Sequence, residues 1–264
     1  MYNNYLDFLK ENETSNIQLF PFKNDNKYCG ILEHVSISHG EQYFGLILQE
    51  FSHIKQEKIL NFCVLNDKYG DPKKNLFNKY DFKILCSPTS LRYVYHSLLI
   101  LEYIENNNIS NIVEVGCGYG GLCLAINYFM SDFSVNINTY NIVDLSEPIN
   151  LIEKYLNLHK ENINTKIIYH NSLTYGENIQ DDNLFFISNY CYTEISNEHN
   201  TNYTNLLIPK VKNGFILWQN GGNNGSYPIT NAKNILKKEK IKIEEERPQT
   251  DAGYDIYKNY FVYF

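Results

Sequence analysis

The sequence contains no run of about 18 apolar residues, so nothing in it reads as a membrane-spanning helix. Its first residues, Met-Tyr-Asn-Asn-Tyr-Leu-Asp, lack the basic and apolar regions of a signal peptide. No C-x-x-C spacing joins the six cysteines, Cys29, Cys63, Cys86, Cys117, Cys123 and Cys191. The expectation is therefore a reduced, intracellular protein, cytoplasmic in location. There is no surplus of basic charge either. Against 30 acidic residues stand 23 basic ones, for a net charge of −7. A binder of phosphate backbones usually carries a basic face, so nucleic acid is disfavoured as a partner. The one dense basic cluster, Lys237-Lys238-Glu239-Lys240-Ile241-Lys242, is answered at once by Glu244, Glu245 and Glu246, and reads as a solvated helix end running into a strand. A hydrophobic content of 43% over 264 residues supports one sizeable core, or one core plus a small extra domain.

What the chain does have is a glycine-rich stretch, Asn111-Ile-Val-Glu114-Val-Gly116-Cys117-Gly118-Tyr119-Gly120-Gly121. Its first part is a short apolar run suited to a buried strand, and an apolar helix follows from Leu122. Glycines let the backbone adopt dihedrals closed to other residues and pass close to a ligand. The helix start offers free N–H groups. Two cofactor readings compete. Gly116, Gly118 and Gly121 satisfy the dinucleotide pattern G-x-G-x-x-G. The stretch also satisfies E-x-G-x-G-x-G, the first motif of methyltransferases that use S-adenosylmethionine (SAM). Glu114 decides between them at this level, because a carboxylate there would repel a pyrophosphate but can help hold the cationic methionine end of SAM. Asp144, ending the strand Tyr140-Asn-Ile-Val-Asp144, can accept hydrogen bonds from both ribose hydroxyls, which suits either nucleoside. The plain alternative is a tight strand-to-helix turn with no ligand.

Residues 1–85 read as a helical N-terminal cap or lid, and 86–264 as the nucleotide-binding domain. Positions 43–60 carry apolar residues at helical spacing (Phe44, Ile47, Leu48, Phe51, Ile54, Ile59), and Asn66 to Pro72 is a turn-rich loop. Glu33, His34 and His39 match no common ligand spacing, so no metal is expected. Ser87 or Thr89 can cap a helix that Pro88 starts. Val94, Leu98, Leu101 and Ile104 form its apolar stripe, and Arg92 and His96, four apart, share another face. A surface arginine and a helix histidine bonded to a neighbouring turn are the bland readings of that pair. After Asp144, Ser146, Glu147 and Pro148 suit a helix start. A third strand ends at His170, and the polar Asn171 and Ser172 beyond it can reach an adenine ring.

The fourth strand, Leu184-Phe-Phe-Ile187, is fully apolar, as a central parallel strand should be. Ligands of open α/β sheets bind outside the carboxyl ends of the strands, so Ser188, Asn189, Tyr190, Tyr192 and Glu194 are where chemistry is expected. Two prolines common in amino-group methyltransferases are lacking there, as are the paired acids of metal-dependent O-methyltransferases. Glu194 can act as a general base or simply open the following helix and stabilise its dipole. A fifth strand, Gly214 to Trp218, leads into a glycine/asparagine loop at 219–225 long enough to help cover a substrate. A helix over 229–238 and strands at 241–247 and 259–264 close the sheet with an antiparallel strand, an arrangement of SAM methyltransferases that is unusual in the dinucleotide fold.

From Ser87 onward the chain resembles the sugar O-methyltransferase family. The matching pieces are Leu91-Arg92-Tyr93 with His96, E-x-G-x-G-Y-G-G from Glu114 to Gly121, the stretch from Tyr140 through Asp144 to Glu147-Pro148 with Tyr155-Leu156, and Ser188-Asn189-Tyr190 with Glu194. One departure is Cys117, where the family often has another glycine. The resemblance implies SAM as cofactor and a hydroxyl of a sugar or nucleotide-sugar as acceptor, in glycan biosynthesis. The expected fold is α/β, a Rossmann-like SAM-methyltransferase sheet, mostly parallel, with one antiparallel edge strand. Cofactor contacts are expected from Glu114, Gly116, Cys117, Gly118, Tyr119, Gly120, Asp144, Leu145, Asn171, Ser172 and Ser188. Glu194 and His96 are the candidate bases, and Arg92, Tyr93, Asn189, Tyr190 and Tyr192 would orient the acceptor. N-methylation of an amino-sugar or protein, or a non-catalytic SAM-binding partner, are the alternatives, and self-association is open.

Overall fold

Helical spacing governs the start of the chain, and β alternation the stretch before Ser87. In the computed structural model, which describes residues 2–221, 225–250 and 258–264, the chain forms two compact units. The first comprises Met1–Tyr103, Gly118–Ser134 and Asn150–Asn164; the second comprises Ile104–Cys117, Val135–Ile149 and Thr165–Phe264. Among the described residues no helix is long and apolar enough to cross a membrane.

The first unit begins with helices α1 (Tyr2–Glu11), α2 (Asn26–Cys29), α3 (Ile37–Glu50) and α4 (Gln56–Asn66). The single helix expected over 43–60 is two. α3 starts earlier, where the Ser36 hydroxyl accepts the His39 N–H at 3.1 Å, and the chain turns through 51–55 before α4. Phe44, Ile47, Phe51, Ile54 and Ile59 are all buried, so the apolar pattern was right and its continuity was not. The purely helical reading of 1–85 is corrected by a hairpin, β1 (Asn75–Lys79) and β2 (Phe82–Cys86). Phe77 and Ile84 face each other and are buried, while Leu76 and Leu85 are exposed. Its turn residues, Tyr80 and Asp81, have φ of 51° and 62°. Two successive positive φ angles match the twist of a hairpin, but neither residue advertises it as Asn-Gly would. Ser87 then accepts the Ser90 N–H at 3.2 Å and opens α5 (Pro88–Glu105), as expected.

Aromatic rings make the core of this unit. Tyr119 packs edge-on against Tyr155 with centroids 4.9 Å apart, and Phe22 touches both. Lys23 is buried among them, its Nζ 4.0 Å from the Tyr119 ring centroid and donating to the Asn66 carbonyl at 2.6 Å. Burial pushes its ammonium down to about 8, against the opposing pull of Glu33 and Asp67. The Asn66 amide donates to the Tyr119 hydroxyl at 2.9 Å, and the Asp67 carboxylate accepts from the Ser90 hydroxyl at 2.7 Å. The two residues read as the opening of a turn-rich loop thus satisfy the polar groups of a buried knot.

The second unit is built on β3 (Asn111–Val115), β4 (Thr139–Asp144), β5 (Lys166–Asn171), β6 (Leu184–Asn189), β7 (Val211–Gln219), β8 (Lys242–Glu245) and β9 (Asn259–Tyr263). Among the described residues these form a seven-stranded sheet in the order β5-β4-β3-β6-β7-β9-β8. β3 to β7 are parallel, and β9 alone runs against β7 and β8. This is the expected Rossmann-like, mostly parallel arrangement, with one correction: the antiparallel strand, β9, is not at the edge but lies between β7 and the edge strand β8. All five residues of β3 are buried, which is why its sequence is a near-continuous apolar run. The chain leaves β3 for β4 and β5 and returns to β6 on the other side, so the carboxyl ends of β3 and β6 flank the switch point. Helices α6 (Gly121–Phe129), in the first unit, and α7 (Ser146–Asn157) follow β3 and β4 in the chain. Later come α8 (Cys191–Glu194) and α9 (Asn197–Leu206). The helix expected over 229–238 is a 3₁₀ turn followed by α10 (Ala232–Leu236), stopped by Lys237 at φ 52°. The glycine/asparagine loop read as a substrate cover includes 222–224, and the connection between β8 and β9 includes 251–257; both stretches lie outside the described residues.

Gly214 on β7 exchanges backbone hydrogen bonds with Phe264 at 2.9 and 3.2 Å, and the Phe264 ring lies over it. A Cβ at Gly214 would stand 2.3 Å from that ring. Gly214→Ala should lower unfolding stability by about 1–3 kcal/mol in urea titration. In a Phe264→Ala background, where the obstructing ring is gone, the same change should have less effect.

Candidate functional site

The site grows from the end of β3. Gly116 takes φ 77°, and a Cβ there would fall 2.3 Å from the Cβ of Cys191, so the position excludes every side chain twice over. Its N–H donates to the Val143 carbonyl at 3.2 Å. The Asp144 carboxylate then accepts the Cys117 N–H on one oxygen and the Leu145 N–H on the other, each at 2.8 Å. These bonds tie the glycine turn to the end of the neighbouring strand. They occupy about two of the roughly four acceptor directions of a carboxylate, and the others suit ribose hydroxyls. Burial pushes the Asp144 carboxyl up to about 6, and the two N–H donors oppose that rise.

Glu114 does not take the position expected of it. It is only 2% exposed, and its carboxylate accepts the Tyr140 hydroxyl at 2.6 Å. Burial pushes it up to about 8; the Tyr140 bond lowers it, and the negative charge of Asp144 raises it further. The reason is its place on a central strand, where the side chain is enclosed rather than presented at the strand end. Near neutral pH it is mostly protonated, so the choice of cofactor cannot rest on its charge.

At the other strand ends the expected residues divide. Asn171 is exposed, with its amide donating to the Ser146 hydroxyl at 2.9 Å, and the half-buried Ser172 has its carbonyl on the Tyr203 hydroxyl at 3.3 Å. Ser188, expected at the cofactor, is fully buried. Its hydroxyl donates to the Val115 carbonyl and accepts the Tyr192 N–H, each at 3.0 Å, which ties β6 to β3. Tyr192, expected at the acceptor, is a core residue held to Thr204. Asn189 and Tyr190 are half-buried at the strand end. Tyr190 takes φ 67°, a strained value for an aromatic residue, and its hydroxyl donates to Glu246 at 2.6 Å. Glu194 is exposed, yet protein atoms around its carboxyl shed enough water to raise it, with a Gln219 hydrogen bond opposing. Cys191 lies within electrostatic reach of Asp144, Glu194 and Glu114, and burial with those charges holds its thiol well above the usual range.

The remaining candidates belong to the first unit. Gly118 and Gly120 take φ of 61° and 88°. The Tyr119 side chain is turned into the aromatic core, leaving only its backbone for a ligand. Arg92 and Tyr93 are each 7% exposed, and Arg92 donates to the Leu32 carbonyl at 3.2 Å. His96 is fully buried between the Tyr43 and Tyr95 rings, and burial followed by the charge of Arg92 holds it well below the usual histidine range. That is a packing environment, with no surface for an acceptor. Cys191, Tyr203 and Glu246 carry no sequence signal for their places, because each meets its neighbours, Gly116, Ser172 and Tyr190, from an element distant in the chain. Among the described residues no group of three or more His, Cys, Asp or Glu is placed to hold a metal ion.

The raised Glu114 gives a pH signature with a defined sign. Between its ordinary value of 4.5 and about 8, the folded state holds a proton that the unfolded state releases. Stability should therefore fall as pH rises through that window. Glu114→Gln should be more stable than the parent at pH 8, by on the order of 1–3 kcal/mol, and the difference should vanish near pH 4 to 5. Urea unfolding at the two pH values checks it.

The comparisons agree with this geometry. The methyltransferase domain of a bacterial Hen1 matches with a TM-score of 0.50 at 11% identity, over 64% of this chain and 96% of that one. The N-terminal domain of EvdMO1 with SAH bound matches with a TM-score of 0.50 at 9% identity, over 80% of this chain and 96% of that one. At these identities the likeness shows the fold alone, an α/β fold shared with those two domains. No curated protein matches the sequence. One family model does match, over residues 88–250, well over half of the chain. The chain belongs to the family described as mitochondrial small ribosomal subunit Rsm22.

Proposed function

We propose that this protein is a cytoplasmic SAM-dependent O-methyltransferase whose acceptor is a hydroxyl of a sugar or nucleotide-sugar, acting in glycan biosynthesis. The observation that carries the cofactor is Asp144, clamped on the glycine turn by two N–H bonds of 2.8 Å and retaining acceptor directions for a ribose. The antiparallel β9 inserted beside β7 supports SAM over a dinucleotide. The acceptor class is supported by the resemblance carried by Leu91-Arg92-Tyr93 and the E-x-G-x-G-Y-G-G turn.

Bound SAM supplies a methyl group made electrophilic by its sulfonium. Asp144 holds the ribose, the Cys117 and Leu145 backbone fix that carboxylate, and Asn171 and Ser172 lie at the adjoining strand end. Glu194, exposed and raised above its ordinary range, is suited to take the proton of an attacking hydroxyl. Asn189 and the backbone of Tyr190 border the acceptor side. Positioning of the hydroxyl for in-line attack would supply much of the acceleration.

The family match favours a second reading, a SAM-binding partner of a small-ribosomal-subunit assembly that transfers nothing. Calorimetric titration with S-adenosylhomocysteine, with NAD as control, tests the cofactor. Binding of the first alone is expected, and binding of neither by folded protein would remove the proposal. Asp144→Ala should weaken that binding by roughly tenfold or more. Glu194→Gln should lower turnover by roughly 10²- to 10⁴-fold with affinity for S-adenosylhomocysteine unchanged. Ligand binding without turnover on any sugar or nucleotide-sugar, together with co-sedimentation with small ribosomal subunits, would favour the second reading.

A further inference from the structure

The β1–β2 hairpin of the first unit has no part in the function proposed above. A sheet covered on one face carries polar residues on the other. This hairpin breaks that alternation, because Leu76-Phe77 and Ile84-Leu85 set apolar residues side by side on both strands. Phe77 and Ile84 supply the buried face. Leu76 and Leu85, paired across the strands, stand on the opposite face at 66% and 57% exposure. The next pair on that outer face is Asn78 with Lys83, both exposed. Lys74, two residues before Leu76, is exposed as well, and it lines a surface cavity together with Leu19, which is 81% exposed. Leucines and lysines thus follow one another from Leu19 through Lys74 onto the outer face of the hairpin. Neither Lys74 nor Lys83 forms an ion pair with an acid among the described residues. Residues 68–83 carry five lysines against two acids, Asp71 and Asp81, in a chain of net charge −7.

Exposed leucines grouped in this way mark an interaction surface, and its chemistry selects the occupant. Protein interfaces are enriched in aromatic residues and arginine and depleted in lysine. Here lysine is the only cation, and the apolar side chains of the outer face are aliphatic. Single-stranded nucleic acid stacks its bases on aromatic rings, and leucine offers it no such platform. An anionic bilayer uses both residue types. Aliphatic side chains enter the boundary between headgroups and acyl chains, while lysine stems lie along it and their ammoniums stay with the lipid phosphates. We propose that the outer face of the β1–β2 hairpin, together with Leu19, is a docking surface for an anionic lipid bilayer. Leu76 and Leu85 enter between the headgroups, and Lys74 and Lys83 meet the phosphates. The association is peripheral, reversible and sensitive to salt, because so few side chains carry it. It does not depend on which cofactor the second unit holds.

The test is co-flotation of the full-length protein with vesicles of seven parts phosphatidylcholine to three parts phosphatidylglycerol, with pure phosphatidylcholine vesicles as control. The wild type should float with the first and not with the second, and added salt should release it. The double variants Leu76→Ser/Leu85→Ser and Lys74→Glu/Lys83→Glu should each lower partitioning by roughly tenfold or more. All four positions are exposed, so urea unfolding of both variants should match the parent. Leu173→Ser, which changes an equally exposed leucine of the second unit, should leave flotation unchanged. A wild type that floats with neither vesicle, or with both alike, would overturn the proposal, as would double variants that float like the parent. Without flotation, two other results would reassign the face. Binding of a single-stranded oligouridylate that the lysine variant loses would give it to nucleic acid. A dimer in sedimentation velocity that the leucine variant dissociates would give it to a second copy of the chain.

Discussion

The second unit depends on one arrangement, the Asp144 carboxylate held between two backbone N–H groups. The Cys117 N–H comes from the glycine turn after β3 and the Leu145 N–H from the residue after β4. Together with the Gly116 N–H on Val143, they fix the turn against the neighbouring strand end. Gly116 can take part because it has no Cβ to strike Cys191. The clamp explains why a carboxylate is tolerated at 7% exposure, and why its value rises only to about 6. Hydrogen bonds to the charged form offset much of the desolvation.

The other buried carboxyls show what happens when that compensation is weaker. Glu114 has the Tyr140 hydroxyl and the nearby charge of Asp144, and it rises to about 8. Glu33 has the opposing charges of Lys23 and Arg92 and a hydrogen bond from Thr89, and burial still raises it to about 7. Three acids that look alike in sequence thus occupy three electrostatic conditions. The first is fixed by two backbone N–H groups, the second is enclosed and raised furthest, and the third is raised to an intermediate degree among buried tyrosines and Lys23.

Much of the fold was legible in the sequence. Apolar runs at β3, β4 and β6 mark central parallel strands, because only a strand covered on both faces tolerates them. The glycine turn, the acid ending β4, and Ser87 before α5 are short-range signals whose causes lie within a few residues. The β1–β2 hairpin escaped because its turn is Tyr80-Asp81, which take left-handed backbone conformations without the residues that usually announce them. The helix over 43–60 was read as one because two helices in sequence can keep an apolar spacing across a short break.

The candidate site was legible only as a set of residue types. Local sequence determined that a glycine turn, a strand-end acid and polar strand ends would exist, because backbone dihedrals and strand burial are set by near neighbours. It could not determine which side chains would face outward. Ser188, Tyr192 and His96 carry suitable chemistry, but the tertiary structure gives their polar groups or rings to a strand tie, a core contact and an aromatic cage. The electrostatic influence of Arg92 on Glu33 was likewise decided by packing. The two are separated in the chain by α3, α4 and a hairpin, and no spacing rule reaches across such a distance. Sequence set which dihedrals and burials were affordable locally; the fold alone set which charges became neighbours, since electrostatic proximity belongs to three dimensions.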